Sequence, residues 1–200
     1  MSSARTEILG RLKKAGRPGP RNRVLALIPK RGQAKGKDRT NMFVAEAKYS
    51  LAEVVRVQNL GSVPAAVVKI LGTSLKVKVA PHPDLQGLDW TGLKVQFGRG
   101  AADDDVAVSV AFGAVAETGT LVLRSGKDAP TTLNFLPDVH VVVLHEQDIA
   151  GNYEAVWQKL LYENDQLPRT VNWITGPSRT ADIEQTMLLG AHGPRKLVIL

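Results

Sequence analysis

The sequence predicts an α/β protein in which helices flank a mostly parallel β-sheet. From Phe43 onward, short apolar strands alternate with helical stretches, and this alternation implies right-handed crossovers between parallel strands. The run HVVVL at residues 140–144 contains three consecutive valines, which is typical of a strand buried on both faces. The chain has 200 residues and is 44% hydrophobic, enough apolar material for one domain with a real core.

Local patterns place the elements in chain order. Ser2 or Ser3 can cap a short helix that runs through Lys14, because a hydroxyl oxygen accepts a hydrogen bond from a free amide of the first helical turn. Pro64 suits the first turn of a later helix, where its missing amide hydrogen costs nothing. Apolar periodicity predicts strands at residues 51–57, 75–79, 106–110, 140–144, 171–174 and 197–200, and helices at residues 63–71 and 152–162.

The positive charge is concentrated at the N-terminus. Residues 1–40 hold 12 Lys and Arg against 2 acids, whereas the remaining 160 residues hold 14 against 17. We therefore expect a basic N-terminal helix and flexible arm over residues 1–42, irregular between 17 and 42, followed by a single α/β domain over residues 43–200. A solvated or partner-contacting arm is favoured over nucleic-acid binding, because residues 1–40 contain no aromatic side chain that could stack on bases.

Composition excludes several classes of site. The chain contains no cysteine, so disulfides, thiolate-bound zinc, cysteine-ligated iron–sulfur clusters and cysteine nucleophiles are ruled out within it. Its four histidines have no paired i, i+4 spacing, and we predict no tightly bound metal. No dinucleotide, P-loop or nucleophile-elbow motif is present. No apolar run approaches the roughly 18 residues that a membrane span needs, and we expect a soluble, cytoplasmic protein.

A first polar cluster interrupts the strand-rich region at AETGTLVL, residues 116–123. Gly119 between Thr118 and Thr120 allows a close backbone approach to a ligand, and Glu117 could serve as acid, base or nucleophile. The alternative is an ordinary turn between two strands with Glu117 at its edge.

A second polar cluster follows the strand predicted at residues 171–174. After a Thr-Gly-Pro turn, Ser178, Arg179 and Thr180 offer two hydroxyls and a guanidinium, which suit a carboxylate or phosphate. Asp182 and Glu184 come next. The alternative is a helix cap in which these two acids favour the helix dipole.

A third polar loop, GAHGPRK at residues 190–196, precedes the last predicted strand. His192 could transfer a proton near neutral pH, and Arg195 could help to hold an anion. His140 and His82 are interpreted as ordinary structural histidines. In a parallel sheet, ligands lie where strands end at their carboxyl edge, and we expect the three polar clusters to meet there in one ligand site.

Four motifs together carry a family resemblance. AETGTLVL at 116–123, LPDVHVVV at 136–143, ITGPSRTADIE at 174–184 and LGAHGPRKLVIL at 189–200 resemble the C-terminal signature of the lactate-utilisation protein C family, the LUD-domain proteins, and SSARTEILGRLKKA at 2–15 resembles that family's N-terminal helix. The matching polar positions are Glu117, Thr118, Gly119, Thr120, Ser178, Arg179, Thr180, Asp182, Glu184, His192 and Arg195.

The resemblance implies a fold related to the sugar-phosphate isomerases and CoA-transferases. It also implies a role in oxidising L-lactate to pyruvate beside partner proteins that carry iron–sulfur clusters, so that any catalysis is expected only within that complex. Glu117 or His192 would then take the hydroxyl proton, and Arg179 would hold the carboxylate. The alternative is an independent enzyme that acts on a CoA ester or a phosphorylated small molecule, with Glu117 as nucleophile or base.

Overall fold

The computed structural model describes residues 7–11, 28–162, 167–181 and 187–200. Residues 7–11 are helical, as expected within the first predicted helix. The cap predicted at Ser2 or Ser3 and the end predicted at Lys14 lie outside the described residues. The four α-helices of the part described from residue 28 onward are α1 (Gly36–Tyr49), α2 (Val63–Leu71), α3 (Pro83–Gln86) and α4 (Tyr153–Tyr162). The strands in the described ranges are β1 (Glu53–Val54), β2 (Lys76–Val79), β3 (Lys94–Phe97), β4 (Val106–Val110), β5 (Gly113–Val115), β6 (Thr120–Arg124), β7 (Val139–Val143), β8 (Ile149–Ala150), β9 (Val171–Ile174), β10 (Arg179–Ala181), β11 (Met187–Leu189) and β12 (Lys196–Ile199).

A main sheet of six parallel strands confirms the predicted fold class. Its strand order is β1-β12-β7-β4-β2-β3, and each neighbouring pair is parallel. In the centre, Val141 of β7 pairs with Val108 of β4 on one side and Val198 of β12 on the other. The run of valines in β7 is therefore buried on both faces, as the sequence predicts.

A second sheet of four strands was not predicted. Its order is β8-β5-β6-β9, and β6 is antiparallel to both β5 and β9. The strand predicted at residues 171–174 is confirmed, but it belongs to this second sheet. Apolar alternation alone does not reveal the sheet that a strand joins, because strands in either sheet have the same period of two.

Three apolar layers hold these elements together. On one face of the main sheet, Val63 and Val67 of α2 pack in a cluster that includes Val141. On the other face, α1 and the inner side of the second sheet form another cluster. The outer side of the second sheet packs against α4 through Val156 and Leu160. The second sheet is therefore sandwiched between the main sheet and α4.

Helix α1 corrects the prediction for the N-terminal region. The sequence predicts an irregular arm through residue 42, but the structure has a helix from Gly36 to Tyr49. Phe43 and Ala47 of this helix are fully buried in the cluster between the two sheets, and this tertiary burial stabilises a helix whose sequence is weakly amphipathic. Of the strand predicted at residues 51–57, only Glu53–Val54 forms. The helices of the described residues include none long and apolar enough to span a membrane.

Candidate functional site

Two of the three predicted polar loops meet in one cavity, which we call the amino-edge cavity. It has a volume of about 280 Å³ and lies before the start of β7 and β12, beside the loop that follows β9. Its lining consists of Asn134, Phe135, His140, Trp173, Ile174, Gly176, Pro177, Ser178, Arg179, His192, Gly193, Pro194 and Leu197. The prediction that the loops meet at the carboxyl edge of the parallel sheet is wrong. The strand before Ser178 belongs to the second sheet, and His192 lies between β11, which pairs with β10 in a separate two-stranded sheet, and the start of β12.

Backbone hydrogen bonds fix the two loops to each other. The amide of Ser178 donates to the carbonyl of Pro194 at 2.9 Å, and the amide of Gly190 donates to the carbonyl of Ser178 at 2.9 Å. Arg179 and His192 are exposed at the rim of the cavity. The fold thus places a guanidinium, an imidazole and a hydroxyl around one opening, a combination suited to a small anion.

The interior of the same cavity holds two polar residues that the sequence analysis did not select. His140 is 1% exposed, and its Nε2 lies 2.7 Å from Oγ of Ser109. Burial lowers the pKa of His140 to about 3, so the imidazole is neutral at physiological pH. Asn134 is 5% exposed. His140 lies within a run of valines, and this position could have identified it in the sequence as a candidate site residue, since a polar side chain inside a buried strand needs a partner.

Two other predicted site residues, Arg195 and Thr180, do not line this cavity. Arg195 pairs with both carboxylate oxygens of Asp138, at 3.0 and 2.9 Å, on the exposed surface. Thr180 lies in β10 opposite Leu188. Asp182 and Glu184 lie outside the described residues.

Glu117 lies in a separate place, beneath the segment before α1. Its backbone amide donates to the carbonyl of Gly151 at 3.2 Å, and its backbone carbonyl accepts a hydrogen bond from Arg31. The residue is 8% exposed, and its carboxylate packs against Gly32. Among the described residues, the Glu117 carboxylate itself has no hydrogen bond or ion pair. The structure does not place Glu117 with Arg179 and His192 in the amino-edge cavity.

Thr118 and Thr120 follow Glu117 in the chain. Together with Tyr153 and Thr175 they form what we call the hydroxyl cluster. Oγ1 of Thr120 lies 2.7 Å from that of Thr118, 2.6 Å from that of Thr175 and 3.0 Å from the hydroxyl of Tyr153. The hydroxyls of this cluster therefore satisfy one another.

Gly119 lets α1 approach this turn. Its φ is +65°, and a Cβ at this position would lie 2.2 Å from the backbone nitrogen of Ala47. Only glycine permits both this backbone conformation and this contact. Close packing against α1 thus accounts for the glycine of the first polar cluster.

A further cavity of about 300 Å³ lies at the carboxyl ends of β1, β12 and β7, with mostly apolar walls. His145 lines it and its Nε2 lies 2.7 Å from a carboxylate oxygen of Asp84. Within the part of the chain that the structure describes, no three His, Asp or Glu side chains are grouped to hold a metal ion.

The chain is similar to several known proteins. A protein of Neisseria meningitidis named only as uncharacterized is 43% identical over 97 residues, which cover 48% of this chain and 41% of that protein. The lactate utilization protein C of Bacillus licheniformis is 31% identical over 99 residues, 48% of this chain and 41% of that protein. This chain therefore matches less than half the length of these relatives.

A solved structure and a family model extend the comparison. The crystal structure of a DUF162 family protein from Deinococcus radiodurans has a TM-score of 0.57, covers 80% of this chain and 94% of that chain, and is 23% identical, which supports the fold alone. The family model of the LUD domain matches residues 73–200, including both loops of the amino-edge cavity. This chain therefore belongs to the LUD domain family.

Proposed function

We propose that this chain acts in lactate utilisation by binding a small carboxylate in the amino-edge cavity. The observation that carries the proposal is the placement of Ser178, Arg179 and His192 around one cavity of about 280 Å³. The names of relatives such as the lactate utilization protein C of Bacillus licheniformis support the choice of pathway. These names point to lactate, and pyruvate is the product of its two-electron oxidation.

Each rim residue has a chemical role in the proposed complex. The guanidinium of Arg179 donates two parallel hydrogen bonds to the carboxylate, the geometry that makes arginine a strong carboxylate ligand. The hydroxyl of Ser178 adds a further donor. In the proposed complex, His192, which is exposed at the rim, exchanges a proton with the ligand hydroxyl.

Oxidation of lactate also needs an electron acceptor. Lactate loses two electrons on conversion to pyruvate, and a cysteine-free chain cannot ligate an iron–sulfur cluster through thiolates. In our proposal the acceptor lies in a partner protein. The resemblance to the lactate-utilisation protein C family implies that this partner carries an iron–sulfur cluster, and we propose that the two form a cytoplasmic complex. Any catalysis by the chain takes place within that complex.

The alternative proposal is an independent enzyme for a CoA ester or a phosphorylated small molecule. The specific observation in its favour is the buried carboxylate of Glu117, which has no partner among the described residues. Such a carboxylate is a candidate nucleophile or base. Turnover of an acyl-CoA or a sugar phosphate by the isolated chain, abolished by Glu117→Gln, would support this alternative over the first proposal.

The carboxylate proposal is tested by calorimetric titration of the chain with L-lactate and with pyruvate. Arg179→Gln should weaken binding at least about tenfold, because a charge-assisted bidentate contact is lost. Arg195→Gln is the matched control and should bind as the wild type does, since that guanidinium pairs with Asp138 outside the cavity. Absence of binding to either acid, or an Arg179→Gln affinity equal to that of the wild type, would overturn the proposal.

A further inference from the structure

The amino-edge cavity changes in character from its rim to its interior. Arg179 and His192 are exposed, whereas Asn134 and His140 are almost completely buried, and all four line the same cavity. Burial keeps His140 neutral, with its pKa lowered to about 3, and an amide carries no charge. A ligand in this cavity therefore meets positive charge at the rim and neutral hydrogen-bonding groups at the floor.

The polar atoms of the floor are open to a ligand. Among the described residues, the fully buried side-chain nitrogen and oxygen atoms without a partner are Nε of Arg39 and Nδ2 of Asn172. The amide of Asn134 and Nδ1 of His140 form no hydrogen bond with the described residues either, and both residues line the cavity. Polar groups at this depth normally have a partner, and here a ligand can supply it.

The floor can bind an alcohol and a ketone equally well. When Ser109 donates to Nε2 of His140, Nδ1 carries the hydrogen and donates to a carbonyl oxygen; when Nε2 donates to Ser109, Nδ1 accepts from a hydroxyl. The amide of Asn134 likewise contains a donor and an acceptor. Neither state requires a charged imidazole.

We infer that Asn134 and His140 make the cavity selective for 2-hydroxy and 2-oxo acids over acids that lack an oxygen at the second carbon. The carboxylate binds at the rim, and the oxygen of the second carbon binds at the floor. This inference rests on the proposed binding of a carboxylate in the same cavity. It adds the group by which the ligand is distinguished from other small acids.

The first test compares L-lactate, pyruvate and propionate by calorimetric titration of the wild-type chain. Propionate has the same charge and carbon skeleton but no oxygen at the second carbon. We expect lactate and pyruvate to bind at least about tenfold more tightly, since propionate leaves the buried floor unpaired. Equal affinity for all three acids would overturn the selectivity and leave the carboxylate proposal standing. Absence of binding to all three would overturn both.

The second test removes the floor amide. Asn134→Leu should lower the affinity ratio of lactate to propionate, because only His140 is left to bind the oxygen of the second carbon, while propionate still binds because the rim is unchanged. Asn172→Leu is the matched control: this residue does not line the cavity, and the ratio should stay at its wild-type value. Circular dichroism checks the fold of each variant.

If Asn134→Leu does not fold, Ser109→Ala removes the partner that orients His140 and should lower the same ratio. An unchanged ratio in the folded variant would overturn the inference.

Discussion

The hydroxyl cluster and the amino-edge cavity are neighbouring polar regions with opposite hydrogen-bonding states. In the hydroxyl cluster, Thr120 contacts three other hydroxyls at 2.6 to 3.0 Å. These hydroxyls form hydrogen bonds with one another and do not require a ligand as a partner. In the cavity, Asn134 and His140 retain free hydrogen-bonding capacity at almost complete burial. Both regions contain several polar side chains, and buried polar groups with unused hydrogen-bonding capacity are the feature that indicates a binding site.

Glycine does not distinguish the two regions. Gly119 beside the hydroxyl cluster and Gly176 beside the cavity both have positive φ, of +65° and +74°. In both cases a Cβ would collide with the C-terminal part of α1 or the residue after it, at Ala47 and at Ser50 respectively. Both glycines therefore permit the close packing of this helix end, and a Thr-Gly pair in the sequence indicates helix packing as readily as it indicates a ligand.

Among the variants that test this comparison, Gly119→Ala is expected to have the largest effect on stability. The added Cβ would lie 2.2 Å from the backbone nitrogen of Ala47, and the backbone is in a left-handed conformation. We expect the free energy of unfolding, measured by urea denaturation, to fall by about 3 kcal/mol or more.

Gly92→Ala separates the two causes of this loss. Gly92 has a φ of +89° in a turn closed by the amide of Leu93 and the carbonyl of Trp90, and an added Cβ has no heavy atom within 4 Å. This variant should therefore cost only about 1 to 2 kcal/mol of backbone strain. If both variants lose the same stability, the contact between Gly119 and α1 does not contribute, and α1 does not close the hydroxyl cluster as described.

A pH series probes the neutral floor of the cavity. The pKa of His140 is lowered from its ordinary value of 6.5 to about 3 by burial. Above the ordinary value, the imidazole is neutral in both the folded and the unfolded chain. Between 6.5 and about 3 the unfolded chain binds a proton that the folded chain does not, so the folded state loses stability as the pH falls, by up to about 1.4 kcal/mol per pH unit.

The contribution of His140 is isolated by comparison with His140→Gln. Urea denaturation of both proteins at about pH 7 and about pH 5 should show a steeper loss of stability in the wild type, since glutamine does not titrate. Parallel pH profiles of the two proteins would contradict a neutral buried histidine at the floor of the cavity.

Strand composition made most of the main sheet predictable. β-Branched runs at β4 and β7 and helical spacing at α2 fix these elements locally, and the structure confirms them. The helix from Gly36 to Tyr49 was missed because its stability comes from the burial of Phe43 and Ala47 between the two sheets. Burial of this kind depends on partners distant in sequence, which local periodicity does not encode.

The site was predictable in part, for a related reason. Charged and hydroxyl residues in loops are conspicuous in sequence, so Ser178, Arg179 and His192 were selected, and the structure brings them to one cavity. Asn134 ends a short 3₁₀ helix, Thr131–Asn134, that precedes β7 and carries no motif. Only the fold shows that Asn134 is buried and lines the same cavity as His140. The proposed ligand site thus combines loop residues visible in the sequence with floor residues visible only in three dimensions.

The smallest expected effect comes from Thr120→Val, which tests whether the hydroxyl cluster is structural. Valine keeps the shape of the side chain and removes a hydroxyl that is 1% exposed and contacts Thr118, Thr175 and Tyr153. Because the three partners are at least partly exposed and can bind water instead, the loss of stability should be about 1 kcal/mol. The affinity for lactate should stay at its wild-type value.

Tyr153→Phe serves as the control at the exposed end of the cluster and should cost less stability than Thr120→Val. A loss of lactate affinity in Thr120→Val without a loss of stability would contradict the distinction between the two regions, because it would mean that the ligand contacts the hydroxyl cluster as well as the cavity.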